Sequence, residues 1–91
     1  MNMDELRGRI DAVDEELLRC FAERMDIAGD IARYKAEHGL PVLDERRERE
    51  KLYAVSEKAP EELQSYAVSL YALLFELSRD YQRELIGKER G

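Results

Sequence analysis

From Leu6 to Tyr34 the residues Leu6, Ile10, Val13, Leu17, Cys20, Ile27, Ile31 and Tyr34 recur at alternating steps of four and three. One beat between Cys20 and Ile27 is taken by Arg24. This is the spacing of one face of a continuous helix. Asn2, with Glu5 three residues on, makes a capping-box-like start. Gly39 and Pro41 supply the stop, so the helix is expected to run to about His38. Such a helix of roughly 35 residues is ~50 Å long. A compact globule of this chain length would be only ~30 Å across, from a radius of gyration of ~12 Å. The helix is therefore longer than anything its own chain can wrap. Its overhanging seam needs cover, and the heptad-like spacing predicts a homodimer in which the long helices pack on each other. A plain coiled coil would explain the seam but not the two amphipathic patterns that follow it.

Asp44 is a good N-cap for a second helix ending near Lys58, with Leu52, Val55 and Ala59 as its apolar line. Carried backwards by helical steps, that line meets Glu48 and then Asp44, with Arg47 beside them. The first turn thus aims charge where the later turns aim hydrocarbon. Arg46, Arg49, Glu50 and Glu45 fall on the solvent side. Pro60, Glu61 and Glu62 open a third helix, since proline and acids suit a first turn. It is expected to fray near Gly87 and leave a charged tail. Its main stripe is Leu63, Ala67, Leu70, Leu74, Leu77 and Tyr81, beside a second stripe of Tyr71, Phe75, Ser78, Gln82 and Leu85. The first helix has a flanking stripe too: Leu18, Phe21, Met25, Ala28 and Ala32, with Lys35 on the next beat. The fold class is all-α, one domain over residues 1–91, with three helices in long-short-long order.

Composition narrows the function classes. Net charge is −6, with no basic tail and no Trp, so nucleic acid is excluded as a partner on electrostatic grounds. No apolar run approaches bilayer length and no leader pattern opens the chain, which predicts a cytoplasmic protein without a membrane partner. The single cysteine, Cys20, forms no internal disulfide and is expected to be a buried small hydrophobe. His38 is expected in a last-turn role, and metal-ligand spacing is absent.

What remains are polar residues on inward lines. Arg24, Lys35, Arg47, Glu48, Ser78 and Gln82 all interrupt apolar stripes. An uncompensated charge in such a seam costs several kcal/mol, so each must be paired, snorkelling or serving a ligand. Arg24 and Lys35 lie three turns apart, ~16 Å along one side of the helix. Cations exceed acids in the set, which suggests an anionic ligand, and arginine suits carboxylates. Nothing in it resembles a nucleophile with an attending base.

These residues, in order, resemble the all-helical (type II) class of chorismate mutases over nearly the whole chain. The matching motifs are Leu6-Arg7-(x)2-Ile10-Asp11-(x)2-Asp14, then Leu17-Leu18 with Ala22-Glu23-Arg24, then Ile31-Ala32-(x)2-Lys35. They continue with Pro41-Val42-(x)-Asp44-(x)2-Arg47-Glu48 and Glu76-(x)-Ser78-(x)3-Gln82. The resemblance implies an intertwined helical homodimer with two equivalent sites, each built from both chains. It implies the pericyclic rearrangement of chorismate to prephenate in aromatic amino-acid (Phe/Tyr) biosynthesis, without cofactor or metal. By similarity, Arg7, Arg24 and Arg47 would hold the substrate carboxylates, with Ser78 assisting. Lys35 and Gln82 would donate to the ether oxygen, while Glu48 and Asp44 would hold the ring hydroxyl. Arg7 lies ~25 Å before Arg24 on the same helix, so it would have to come from the partner chain. Two other readings are an isochorismate-pyruvate lyase of the same fold and a non-catalytic helical dimerisation or regulatory module. The acid at Glu48 favours the mutase over the lyase.

Overall fold

The computed structural model describes residues 1–90, with side chains through residue 89; Gly91, the end of the expected charged tail, lies outside the described residues. Helix α1 spans Met3–Glu37, α2 spans Glu45–Lys58 and α3 spans Gln64–Arg90. There is no strand among the described residues, and no helix is long and apolar enough to cross a membrane.

The ends of the helices follow local chemistry. Asn2 caps α1, its side-chain oxygen accepting from the Glu5 amide at 2.9 Å, which satisfies one of the unpaired first-turn donors. At the other end the Leu40 amide donates to the Lys35 carbonyl at 2.8 Å, and the Gly39 amide reaches the Ala36 carbonyl at 3.5 Å. This is a Schellman closure. It requires the left-handed conformation that Gly39 adopts, with φ of 65°. His38 closes the same turn, Nδ1 meeting the Tyr34 carbonyl at 2.8 Å with its ring stacked on Tyr34. Asp44 caps α2 by accepting from the Arg47 amide at 3.0 Å.

The third helix departs from expectation at both ends. Pro60 caps a short 3-10 turn, Glu61–Leu63, before the α-helix begins. The helix also runs past Gly87 to Arg90 instead of fraying there. Two contacts account for the extension. Lys88 pairs with Glu84 one turn earlier at 3.1 Å, and Glu89 accepts from Arg33 of α1 at 2.9 Å. The hydrogen bond to Glu89, and then its charge, raise the Arg33 guanidinium above the ordinary arginine value.

Packing assigns the stripes. Helices α1 and α3 meet through their flanking stripes: Ala28 and Ala32 of α1 are buried, as are Phe75, Ser78 and Gln82 of α3. Gly29 lets the two approach, since a Cβ there would sit 3.2 Å from Leu85 Cδ2. The main stripes are only partly covered: Arg24, Ile27 and Ile31 of α1 border an open cavity, and Ala67, Leu74 and Tyr81 of α3 are half-buried. Leu6, Ile10, Val13, Leu17, Ile27 and Ile31 of α1 are exposed, as are Leu70 and Leu77 of α3 and Leu63 just before it. Cys20 is exposed as well, against the expectation of a buried thiol, because nothing in its own chain reaches the N-terminal half of α1. The body measures 54 × 28 × 14 Å, with a radius of gyration of 16.4 Å, well above the ~12 Å of a compact chain this long.

The Gly39 closure gives a direct test. Alanine in the left-handed conformation costs about 1–2 kcal/mol, so Gly39→Ala should lower the urea midpoint by that equivalent at fixed protein concentration. An unchanged midpoint would show that the turn does not hold the chain reversal.

Candidate active site

The three helices border an open cavity of about 400 Å³, within the roughly 300–1,000 Å³ range of small-ligand sites. From α1 it receives Arg24, Ala28 and Lys35; from the α2 region Val42, Asp44, Arg47, Glu48 and Lys51; from α3 Tyr71, Phe75, Ser78, Arg79 and Gln82. Each position follows from register. Arg24 and Lys35 fall on the side of α1 that turns toward α3. Asp44, Arg47 and Glu48 form the cap and first turn of α2, on the line that Leu52 and Val55 continue toward α3. Ser78 and Gln82 stand one turn apart on the buried stripe of α3.

Five cations and two carboxylates line the cavity, a positive surplus inside a chain of net charge −6. The cations are held in different ways. Lys35 Nζ donates to the Val42 carbonyl at 2.8 Å, leaving two ammonium hydrogens free. The Arg24 guanidinium lies 5.9 Å from the Tyr71 ring centroid and 5.7 Å from that of Phe75, cation–π distances that support its charge without cancelling it. Among the described residues no carboxylate lies within ion-pair distance of Arg24, Lys35 or Arg47. Arg79 differs: its Nη1 donates to both oxygens of Glu48, at 2.5 and 2.6 Å.

Ser78 and Gln82 are only 8% and 6% exposed. Gln82 Nε2 donates to Ser78 Oγ at 2.9 Å, and Gln82 Oε1 is buried without a partner. A buried amide oxygen left in that state is costly unless something else meets it. Turning the amide about its last bond lets the Ser78 hydroxyl donate to Oε1 instead, which frees the Nε2 hydrogens. No three His, Cys, Asp or Glu side chains converge as metal ligands among the described residues.

Seven of the eight residues singled out in the sequence therefore share one cavity. Arg7 does not: it is exposed near the far end of α1. The solvated reading of the rest of the α2 turn is correct, since Arg46 pairs with Glu50 and Arg49 with Glu45 on the outer face. Sequence reasoning missed Arg79, Lys51 and the two rings under Arg24. Arg79 had a signal, as it follows Phe75 by four residues and precedes Gln82 by three, on the edge of the inward stripe.

Comparison with known proteins gives a consistent picture. The family model "Chorismate mutase type II" matches residues 6–83. The chain is 40% identical over 45 residues to a chorismate mutase of Methanocaldococcus jannaschii, a match covering 50% of this chain and 46% of that protein. It is 34% identical over 77 residues to a 4-amino-4-deoxychorismate mutase of Streptomyces venezuelae, covering 79% of this chain and 72% of that one. The structure of a chorismate mutase (form II) from Thermus thermophilus superposes with a TM-score of 0.85 at 30% identity, covering 89% of this chain and 93% of that one. With the family model spanning most of its length, this chain belongs to the type II chorismate mutases.

Proposed function

We propose that this protein is a chorismate mutase that acts as a homodimer in the cytoplasm and rearranges chorismate to prephenate. One observation carries the reading: seven side chains suited to a dicarboxylate ether converge on one cavity with a surplus of positive charge. In the reaction the ether C–O bond breaks as a C–C bond forms, with no covalent intermediate and no added group. The protein must hold a flexible molecule in its reactive shape and stabilise the negative charge that grows on the ether oxygen.

Arg24 and Arg47 take the carboxylates, with Ser78 assisting. Lys35 donates to the ether oxygen through an ammonium hydrogen not used by Val42. Gln82 donates through Nε2 in the orientation where Ser78 donates to its carbonyl oxygen. Glu48 accepts from the ring hydroxyl. Asp44 adds a second carboxylate on that side, with one of its oxygens engaged as the α2 cap.

Arg7 of a second copy completes the site. The exposed apolar face of α1 is the surface on which that copy packs, and burying a large aliphatic side chain contributes about 1.5–3 kcal/mol. The same contact that covers Leu6, Ile10, Val13 and Leu17 brings Arg7 to the cavity.

The Streptomyces venezuelae relative acts on 4-amino-4-deoxychorismate by its name, and that substrate is the second reading. Chorismate, 4-amino-4-deoxychorismate and isochorismate, each incubated with purified protein, separate the possibilities by product. Prephenate from chorismate supports the mutase. Salicylate and pyruvate from isochorismate would indicate the lyase, and unchanged substrates a non-catalytic module.

Lys35→Ala should keep the helical fold while lowering kcat by ~10²-fold or more, because a single transition-state donor is worth about 3–4 kcal/mol. Near-normal turnover would remove Lys35 from its role. Arg7→Ala and Arg24→Ala should each be almost inactive. After random subunit exchange their mixture should recover roughly a quarter of wild-type activity, since half the dimers regain one of two sites. A mixture that stays inactive would overturn the shared site. The rate should also be nearly flat between about pH 6 and 8, since the Gln82 amide does not titrate; a steep loss across that range would count against its role.

A further inference from the structure

Among the described residues, Arg79 is the one cavity cation committed to a carboxylate. It reaches from α3 to α2, and its Nη1 donates to both oxygens of Glu48. Both side chains are about three-quarters shielded, at 24% exposure each, and both line the cavity. In the mutase reading, on which this inference rests, Glu48 is the group that meets the substituent at ring position 4. We infer that the Arg79–Glu48 pair sets the substrate class of this site, selecting a neutral hydroxyl at position 4 and rejecting an ammonium.

The argument is electrostatic. A carboxylate oxygen has two acceptor directions, so Glu48 bound to Arg79 still accepts one hydrogen bond from a hydroxyl. The pair as a whole is close to neutral, and a hydroxyl asks for nothing more. An amine at position 4 is different, because alkyl amines are protonated near neutral pH. An ammonium against Glu48 would need that carboxylate's full charge, which Arg79 already offsets. It would also stand close to the Arg79 guanidinium. The second carboxylate on that side, Asp44, has one oxygen engaged as the α2 cap and leaves the cavity with an excess of cations, where like charges repel strongly. Specificity then arises from a repulsive element placed one residue behind the recognition group.

A purely structural ion pair, one that only docks α2 on α3, predicts no such discrimination. It would weaken both substrates together when broken. The measurement is therefore the ratio of kcat/KM for 4-amino-4-deoxychorismate to that for chorismate, in the wild type and three variants. The wild type should favour chorismate at least tenfold. Arg79→Gln keeps a donor for Glu48 but removes the charge, and should raise the amine-to-hydroxyl ratio at least tenfold. Arg79→Lys restores the charge and should hold the ratio within threefold of wild type. Glu48→Gln leaves Arg79 unopposed and should lower the ratio below that of the wild type. This last variant keeps the test intact if Arg79→Gln does not fold.

A ratio that Arg79→Gln leaves unchanged would overturn the inference while leaving the mutase standing. A wild type that prefers the amine would overturn the inference and replace chorismate by the second substrate reading. A wild type that turns over neither compound would overturn the mutase reading itself, and this inference with it.

Discussion

The molecule is governed by a mismatch between the length of α1 and the amount of chain available to cover it. Its 35 residues extend along a body 54 Å long, and α3 packs only on the C-terminal half. The two helices commit their smaller residues to each other. Ala28, Gly29 and Ala32 allow close approach, and Phe75 fills the contact. The larger residues, Leu17 and Ile31 on one helix and Leu70 and Leu77 on the other, are left facing outward. Among the described residues three buried hydrophobic ones, Ala28, Ala32 and Phe75, are too few for a chain of this size, whose folding must offset roughly 1 kcal/mol or more of backbone entropy per residue. In the proposed dimer, the contact that stabilises the fold and the contact that supplies Arg7 are one and the same. Folding and site assembly would then be inseparable, and an arginine far along its own helix from the cavity could serve that of the partner.

Much of this was legible because it is local. Caps depend on residues three or four apart, so Asn2, Asp44 and Gly39 announced their helix ends, and each makes the expected bond. The inward direction of the α2 first turn was legible by register, since Glu48 continues the line of Leu52 and Val55. Two things were not. Each long helix carries two apolar stripes, and periodicity alone does not say which one its own chain covers; hence Cys20, on an uncovered stripe, is exposed. The second concerns α3 beyond Gly87. A glycine there reads as a stop, but Glu89 is tied to Arg33 from a position 56 residues away in sequence, and no local rule contains that contact. The Arg79–Glu48 pair, 31 residues apart, escaped for the same reason.

The chemistry of the cavity depends on how its cations are kept charged without being neutralised. A guanidinium or ammonium withdrawn from water needs partners. Pairing it with a carboxylate satisfies it, but then competes with a substrate carboxylate for the same hydrogen-bond donors. Arg24 avoids the conflict by lying over two aromatic rings, and Lys35 by donating to a backbone carbonyl. Both supports are neutral, so the full charge stays available to a ligand. Arg79 is held by Glu48 and gives up that availability. The partners of Arg24, Lys35 and Arg79 thus bear on the work proposed for each. In the proposed reading, Arg24 and Lys35, resting on neutral groups, would face the anionic parts of the substrate, and Arg79, resting on an acid, would adjust that acid. The division follows from the contacts each side chain makes with its own chain, and under the mutase reading it gives Arg24 and Arg79, which line one cavity from the helix pair α1 and α3, opposite tasks.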